Sequence, residues 1–504
     1  MVLIGQETQQ VVDTKYLNTI DATILEAIEA GELPGAVVLV SHRGETIYRK
    51  AFGDRAVKPL TEAMTVDTIF DLASLTKVIA TAPSVMALVE DGLIRLRDPV
   101  SLYVAGFEQY GKESVTIEHL LTHVSGLRPD FPLEKEFEGT EIAVQWATEE
   151  LLQAPPGEQF VYSDINFLLL GAIVEQVSGE SLEEFVQRKI FEPLGMTETF
   201  FHPPTTFRDR IAPTESCGRL AWPCGGPGGQ MLRGTVHDPT ARRMGGVAGH
   251  AGLFGTADDL ARFGAMVLGG GRITQESPAV LSPLTVARMT TPATSRFLDE
   301  QRGLGWDIDS RYSSNRGDLF SSRSFGHTGF TGTSIWIDPD TSTVVVFLSS
   351  RVHPDGDGNV TRLRGRVATL AAAAVGVGLS DSGIPPVSVD QRQTLTGLDV
   401  LVSDQFAELV GQSVGLLTNH TGRDRLGRST IDLLNAAEGV ELTTLFSPEH
   451  GIRGIRDEVV SDSRHSATDL PIYSLYGQTR RPTEEMLEGL DTVVVDLQDV
   501  GTRF

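Results

Sequence analysis

The apolar positions of this chain follow two different rhythms, one before and one after residue 380. Near the start, residues 36–40 and 46–48 are short apolar runs joined by a polar turn, a pattern that predicts two antiparallel strands. Residues 78–93 then carry apolar side chains at helical spacing, with Gly92 as the expected helix terminator. This pattern predicts a helix, which Pro83 is expected to kink.

The middle of the first part is predicted to be mostly helical, and its end returns to strands. The clearest helices are at residues 172–177 and 182–190, separated by long loops. Apolar strands follow at residues 334–337 and 344–348. Strands from both ends that enclose a helical insert predict an α+β domain at residues 1–379, with an antiparallel sheet and a helical subdomain.

The second rhythm begins after residues 380–395, which break all periodicity and predict a linker. Beyond the linker, continuously apolar strands alternate with helices. This alternation predicts a parallel, Rossmann-like α/β domain at residues 396–504. The predicted strands are residues 414–417, 442–446 and 492–496, and the predicted helices are residues 430–437 and 483–490.

Length and charge narrow the possible functions. A chain of 504 residues exceeds the about 250 to 300 residues that a single core usually serves, so at least two domains are expected. Acidic residues outnumber basic residues by 67 to 42, and the resulting net charge of −25 would repel a polyanion. We therefore expect no nucleic-acid partner.

The termini and the cysteines give few further signals. Residues 1–15 lack a basic segment followed by an apolar one, and no apolar run reaches the about 20 residues of a membrane span. As written, the chain is predicted to be soluble and cytoplasmic, or periplasmic or extracellular if the natural start lies upstream. Cys217 and Cys224 lack the partners of a zinc site and leave one loop disulfide open. No metal or cofactor is implied.

Three short motifs carry the candidate chemistry. Ser74 and Lys77 lie three residues apart where a strand-like approach gives way to a helix, so the amine can reach the hydroxyl. Tyr162 follows a Pro- and Gly-containing turn and precedes an apolar helix. His327 begins a His-Thr-Gly sequence just before the strand at residues 334–337. The first motif indicates a nucleophile beside a base, and the order, spacing and local context of the other two motifs agree with a catalytic role.

These motifs resemble those of the serine hydrolases that include class C β-lactamases, serine D-alanyl-D-alanine peptidases and their esterase relatives. The family signatures are Ser-x-x-Lys, Tyr-x-Asn and a Lys- or His-Thr-Gly strand, and all three have counterparts here in the same order. The resemblance extends over about the first 380 residues and includes residues 120–127 and the Gly-rich residues 245–253. It implies the same α+β fold, with the site between the sheet and the helical subdomain.

The resemblance also implies roles for these residues. Ser74 would attack a carbonyl, Lys77 would accept the hydroxyl proton after its pKa falls, and Tyr162 would relay that proton to the leaving group. The backbone N–H groups of Ser74 and Phe330 would form the oxyanion hole. His327 would face the cleft and either donate to a substrate carboxylate or steer the proton network.

Two positions depart from the family pattern. His327 replaces the lysine whose permanent charge anchors the carboxylate of a β-lactam. Asp164 occupies the position of the family asparagine, and an ionised carboxylate cannot donate to an amide carbonyl, so Asn166 is the candidate substitute. The predicted substrate contacts are Asp164, Asn166, Thr328 and Gly329. Both departures favour hydrolysis of an ester or a small D-amino-acid amide over β-lactamase activity.

The second segment resembles the N-terminal part of the exo-β-N-acetylmuramidases that remove terminal N-acetylmuramic acid from peptidoglycan fragments. The blocks that carry this resemblance are residues 417–422, 445–454, 470–477 and 496–504. The family domain is longer, so an incomplete domain with doubtful muramidase activity is expected. Glu449 follows a parallel strand and is the candidate acid or base, with His450, Arg453 and Asp499 as candidate sugar contacts.

The sequence therefore predicts a serine hydrolase that forms a Ser74 acyl-enzyme and is fused to a muramidase-like segment. The fusion suggests a substrate derived from peptidoglycan, either a small molecule or a muropeptide. Two alternatives remain open: a general carboxylesterase, and a penicillin-fold module that binds peptidoglycan without hydrolysing it.

Overall fold

The computed structural model divides the chain into two compact units, Met1–Gly383 and Ile384–Phe504. It describes residues 12–134, 136–217, 220, 222–224, 230–295, 297–376, 396–424, 427–448, 462–465, 467–476 and 479–497. The predicted linker at residues 380–395 lies outside the described residues.

The first unit is built on an eight-stranded sheet. Its neighbouring strands pair antiparallel, in the order β3-β2-β1-β10-β9-β8-β7-β6, and β4 and β5 form a separate pair. The strands are β1 (Gly35–His42), β2 (Glu45–Ala56), β3 (Glu62–Ala63), β4 (Phe70–Asp71), β5 (Phe254–Gly255), β6 (Gln301–Arg302), β7 (Asp307–Asp309), β8 (Phe325–Thr328), β9 (Ser334–Asp338) and β10 (Thr343–Ser349).

The helices of this unit lie on both faces of the sheet and in a separate helical group. They are α1 (Thr14–Glu29), α2 (Ala82–Glu90), α3 (Ile117–Leu121), α4 (Thr140–Glu149), α5 (Asp164–Ser178), α6 (Leu182–Val186), α7 (Glu192–Leu194), α8 (Pro239–Arg243), α9 (Ala257–Leu268), α10 (Pro283–Thr290) and α11 (Thr361–Gly376). The strands from the two ends of the unit enclose most of these helices, as the sequence predicts.

Alternate residues of β1 belong to two different cores, so both faces of the sheet are covered. Val37 and Leu39 join the large core that extends into the helical group, whereas Val38 and Val40 join a smaller core with α1 and α11. Because side chains alternate across a strand, a strand that is buried on both faces must be apolar throughout. This explains the unbroken apolar run of β1.

The helix that follows β4 carries the Ser-x-x-Lys motif. Its Ala73–Glu90 stretch is long and apolar enough to cross a membrane by length and composition, but 83% of that stretch is buried inside the domain. A core helix of a folded domain accounts for this burial. Pro83 lies at the start of α2, after a wider helical turn at Lys77–Thr81, which accommodates the missing backbone donor of the proline.

The second unit contains a five-stranded sheet and three helices in its described residues. The strand order is β13-β14-β12-β11-β15; all neighbouring pairs are parallel except the edge pair of β13 and β14. The strands are β11 (Ser413–Thr418), β12 (Glu441–Ser447), β13 (Ser463–Arg464), β14 (Pro471–Ser474) and β15 (Thr492–Asp496), and the helices are α12 (Gly397–Ser403), α13 (Thr430–Asn435) and α14 (Glu484–Leu487).

The predicted parallel, Rossmann-like character of this unit is confirmed for β11, β12, β14 and β15, with the antiparallel edge as an addition. The four candidate residues of the second segment, Glu449, His450, Arg453 and Asp499, all lie outside the described residues. Their suggested roles stay predictions.

Candidate active site

Ser74 sits at the start of the helical segment Ala73–Glu90, directly after β4. The turn at Ala73 has a φ of 47°, a left-handed conformation of the kind that costs a non-glycine residue about 1 to 3 kcal/mol. The buried Asp71 carboxylate stabilises this turn because it accepts the backbone N–H groups of Ala73 at 2.9 Å and His237 at 2.6 Å. The braced turn leaves Ser74 at the wall of a pocket rather than in the core.

Lys77 lies one helical turn after Ser74 and is completely buried. Its ammonium donates to Ser74 Oγ at 3.0 Å and to the His250 carbonyl at 3.1 Å, and it pairs with Asp164 Oδ1 at 2.6 Å. Burial acts to lower the pKa of Lys77, but the Asp164 carboxylate and the Tyr162 phenol outweigh burial, and the pKa is raised. The expectation of a lowered pKa is therefore wrong: the resting amine is charged.

Tyr162 is positioned by the junction between a loop and α5. Its ring stacks on His123 with the centroids 4.4 Å apart, and Lys77 Nζ lies 5.0 Å from the centre of the tyrosine ring. His123 is fixed in turn, because its Nδ1 accepts the backbone N–H of Ser163 at 3.0 Å. Ser163 also caps α5, whose first residue is Asp164. One capped helix start therefore presents both Tyr162 and Asp164 to Lys77.

Asp164 and Asn166, the two residues considered in place of the asparagine of the family motif, have different surroundings in the structure. Asp164 lines the pocket and is the ion-pair partner of Lys77, a role that the sequence analysis did not foresee. Asn166 is completely buried and is not part of the pocket lining. Its Oδ1 accepts the Ser125 hydroxyl at 2.6 Å, which ties α5 to a neighbouring loop. The expectation that Asn166 contacts substrate is corrected: its amide braces the fold.

His327 reaches the pocket from β8 as a neutral imidazole. Its Nδ1 lies 2.8 Å from the Thr328 carbonyl, which can only accept, so Nδ1 carries the hydrogen. Burial, helped by the charges of Arg302 and Lys77, holds the pKa of His327 well below its ordinary value. Its Nε2 has no hydrogen-bond partner within the described part of the chain and is left as an acceptor. A neutral acceptor does not donate to a substrate carboxylate, which corrects that part of the prediction.

The loop after β8 is fastened to the segment that precedes Ser74. The hydroxyl groups of Thr331 and Thr333 donate to the carbonyl groups of Asp71 at 2.7 Å and Leu72 at 3.0 Å. The backbone N–H of Gly329 donates to the Thr333 carbonyl at 2.7 Å. These bonds hold the backbone around Phe330 beside the backbone of Ser74, the two segments that are predicted to supply the oxyanion donors.

Gly329 is required by this close approach, and its replacement gives a first prediction. A Cβ at this position would collide with the Thr333 hydroxyl and the Leu72 carbonyl. Gly329→Ala should push the two oxyanion segments apart and lower kcat by about 10²-fold or more, with a small change in KM. Steady-state kinetics on a 4-nitrophenyl ester measure this effect. Gly376→Ala is the matched control because a Cβ there meets open space; equal kcat values in the two variants would count against the role of Gly329.

The pocket has a volume of about 560 Å³ and brings most of the predicted residues together. Gly329 and Lys77 are not among the residues that line the pocket, although Lys77 contacts Ser74. The predicted residues that line the pocket are Ser74, Tyr162, Asp164, His327, Thr328 and Phe330. The lining residues that the sequence analysis did not find include Asp130, Asp238, Arg302, Asp307 and Tyr312. None of these belongs to a motif with fixed spacing, so the sequence offered no signal for them.

The question about the two cysteines is answered by the structure. Cys217 and Cys224 form a disulfide whose Cα atoms lie 4.9 Å apart. Leu220, between them, lines the pocket. The disulfide therefore closes a short loop at the edge of the pocket.

A serine at a strained helix start, a buried ammonium bonded to it and a neighbouring strand edge define a serine hydrolase of the penicillin-binding fold. The chain belongs to the Beta-lactamase family, which matches residues 20–370. Residues 414–504 match the family described as exo-beta-N-acetylmuramidase NamZ, N-terminal. The sequence-based resemblance is thus confirmed for both parts of the chain.

Individual relatives agree with this assignment. A protein of Escherichia coli O157:H7 named "Putative D-alanyl-D-alanine carboxypeptidase" is 32% identical over 381 residues, which cover 68% of this chain and 83% of that protein. The octameric penicillin-binding protein homologue from Pyrococcus abyssi superposes with a TM-score of 0.55 at 26% identity, covering 72% of this chain and 77% of that one. A class C beta-lactamase shares the fold, with a TM-score of 0.58 at 20% identity, covering 72% and 97%.

Proposed function

We propose that the first unit hydrolyses an ester or a small D-amino-acid amide derived from peptidoglycan, through an acyl-enzyme on Ser74. The observation that carries this proposal is the chain of contacts from Ser74 Oγ through Lys77 Nζ to Asp164 Oδ1, at 3.0 Å and 2.6 Å, at one wall of the pocket. It supplies a nucleophile, a base and a proton acceptor in sequence.

In the resting site, the charged Lys77 cannot accept a proton. Its ammonium donates to Ser74 Oγ and to the His250 carbonyl and forms an ion pair with Asp164, so one proton must leave before the amine can act as a base. The Asp164 carboxylate takes that proton across the 2.6 Å contact. Lys77 then removes the hydroxyl proton of Ser74 as Oγ attacks the substrate carbonyl, and the developing oxyanion is stabilised by the N–H groups of Ser74 and Phe330.

Lys77 then passes a proton through the Tyr162 hydroxyl to the leaving group, which departs. The Tyr162 ring lies next to the Lys77 ammonium and lines the pocket. Water then attacks the acyl-enzyme over the same path, and Ser74 recovers its proton. The neutral His327 offers Nε2 as an acceptor for the N–H of a leaving amine or for the water.

Two further observations favour this substrate class over a β-lactam. The pocket carries the neutral His327 where a β-lactamase-type site holds a permanently charged lysine, so a carboxylate lacks that anchor. Residues 414–504 match a muramidase-related family, and a relative is named "Putative D-alanyl-D-alanine carboxypeptidase"; both names concern peptidoglycan. A muropeptide or a smaller cell-wall fragment is the proposed substrate.

A substrate panel tests the proposal. We expect turnover of 4-nitrophenyl acetate and of D-alanine 4-nitroanilide, with a much lower kcat/KM on a chromogenic cephalosporin. Turnover of the ester alone would indicate the general carboxylesterase. No turnover of any compound, together with no labelling of the folded protein by a fluorophosphonate, would indicate the module that binds peptidoglycan without hydrolysing it.

The pH dependence of Asp164→Asn tests the proton path. In the natural protein, the proton moves within the Asp164–Lys77 pair, so acylation should vary little with pH near neutrality. In the variant, burial lowers the pKa of Lys77 without opposition from the carboxylate, and the lysine must release its proton to solvent. Acylation by a 4-nitrophenyl ester, measured by stopped flow, should be about 10²-fold slower than in the natural protein at pH 6, with a gap that closes as pH rises. Parallel profiles would contradict this path.

A further inference from the structure

The pocket around Ser74 is rich in carboxyl groups. Five carboxylic acid side chains from separate segments of the first unit contribute to its lining. They are Asp130, Asp164, Glu215, Asp238 and Asp307. Because buried carboxylates are costly unless they are paired, the partner of each one decides what the pocket can bind.

Four of the five carboxyl groups face a basic side chain of the same unit. Asp164 pairs with Lys77, as described above. The other three pairs are Asp238 Oδ1 with His250 Nε2 at 3.1 Å, Glu215 Oε2 with His237 Nε2 at 3.2 Å, and Asp307 Oδ1 with Arg302 Nη1 at 3.2 Å. The Asp307–Arg302 pair is almost completely buried, so this arginine is already neutralised.

Asp130 is the fifth carboxyl group, and its described hydrogen bonds come from neutral donors. Its Oδ1 accepts its neighbour's backbone N–H, that of Phe131, at 2.7 Å, and the single hydroxyl of Thr240 lies 3.2 Å from both oxygens. One hydroxyl hydrogen cannot satisfy two carboxylate oxygens, so Asp130 keeps unused acceptor capacity. Within the described residues, no lysine, arginine or histidine forms an ion pair with it.

The second feature of the pocket is that the cationic side chains in its described lining already face carboxylates. His327 is nine-tenths buried, lines the pocket and presents Nε2 as a bare acceptor. The described cations at the pocket, including Arg302 and Lys77, already have carboxylate partners. A free C-terminal carboxylate of a substrate would therefore meet no unpaired cation among the described residues, whereas an ammonium would meet a carboxylate that has no counter-ion among them.

We propose that the substrate carries a free ammonium group that binds Asp130, so that this enzyme acts on amino-bearing esters or amides and disfavours substrates with a free C-terminal carboxylate. This inference rests on the proposed function and specifies its substrate. In these terms, the enzyme behaves as an aminopeptidase- or amidase-type hydrolase rather than as a carboxypeptidase. Asp130 contributes affinity and selectivity, not a proton for the reaction.

The electrostatics of Asp130 support this reading. Burial raises the pKa of Asp130 to about 7, with a further push from the negative charges of Asp238 and Asp164 and a smaller opposing effect from the charge of His250. These groups, with Lys77 behind Asp164, are the charges that face Asp130. An ammonium in the pocket would favour the ionised carboxylate, so the affinity for such a substrate should increase as pH rises from 6 towards 7.5.

Two isosteric anilides test the inference. D-alanine 4-nitroanilide and 2-methylpropanoyl 4-nitroanilide differ only in an ammonium group in place of a methyl group. We expect kcat/KM at pH 7 to be about 10- to 100-fold higher for the D-alanine compound, because only its ammonium can form a charged hydrogen bond with Asp130. Asp130→Asn should abolish this preference, mainly by raising KM for the D-alanine compound. Asp318→Asn, at an exposed position outside the pocket lining, should preserve the preference.

A second pair of substrates tests whether a free C-terminal carboxylate is disfavoured. D-alanyl-D-alanine should be hydrolysed more slowly than the same dipeptide with an amidated C-terminus. Equal kcat/KM values for the two anilides, or a preference that survives Asp130→Asn, would overturn the inference while leaving the Ser74 hydrolase intact. Loss of turnover of both anilides, of a 4-nitrophenyl ester and of fluorophosphonate labelling would instead overturn the proposed function.

Discussion

Ser74→Ala should reduce the hydrolysis of a 4-nitrophenyl ester by about 10⁴-fold or more and abolish fluorophosphonate labelling. The hydroxyl oxygen forms the covalent bond, and Lys77, which pairs with Asp164, donates to that oxygen. Backbone donors and binding energy leave some rate enhancement, so the residual activity should exceed that of water alone. Turnover of the purified variant, with active-site titration of the natural protein, measures the effect.

Ser84→Ala provides the matched control on the same helix. Its hydroxyl is buried and donates to the Ala80 carbonyl at 2.7 Å, away from the pocket lining. We expect this variant to hydrolyse the ester at nearly the natural rate. If Ser74→Ala kept more than a small fraction of the turnover of Ser84→Ala, a covalent mechanism on Ser74 would be excluded.

Lys77→Met should lower turnover by about 10³-fold or more and also destabilise the first unit. Methionine fills a similar volume but removes the group that positions and deprotonates Ser74. It also leaves the Asp164 carboxylate without its partner, and breaking a buried ion pair costs about 3 to 5 kcal/mol. Since the Asp164 side chain is 23% exposed, the lower end of this range is expected. Thermal unfolding and ester hydrolysis measure the two effects.

The double variant Lys77→Met with Asp164→Asn separates catalysis from stability. Replacing both charged groups removes the unpaired carboxylate, so most of the lost thermal stability should return. Turnover should stay as low as in Lys77→Met, because the base is still absent. Recovery of activity in the double variant would contradict the assignment of Lys77 as the base.

The fold could be predicted from the sequence wherever the periodicity was long and unambiguous. The strand of residues 36–40 and the helix after Ser74 follow from apolar runs and from Gly92, which has a φ of 71° just past the end of α2. The helix α1 was not predicted, and the antiparallel edge strand β13 is only two residues long. A strand as short as β13 depends on tertiary pairing, which leaves no periodic trace in the sequence.

The catalytic motifs could be found because each has a fixed local spacing, but their charge states could not. The spacing of Ser74 and Lys77 places them on one helix face, and the structure has their side chains in contact. The direction of the Lys77 pKa shift depends on Asp164, which is distant in sequence and is brought to the amine only by the fold. The pairing of Asp130, which has no counter-ion among the described residues, could not be predicted either, since pairing is a property of the folded pocket.

The most direct measurement is mass spectrometry of the protein after rapid quenching during turnover of a slowly hydrolysed 4-nitrophenyl ester. We expect one acyl group per chain, located by peptide mapping on Ser74, and its absence in Ser74→Ala. An acyl group on a different residue, or steady turnover without any covalent adduct, would contradict the central claim that Ser74 forms the acyl-enzyme.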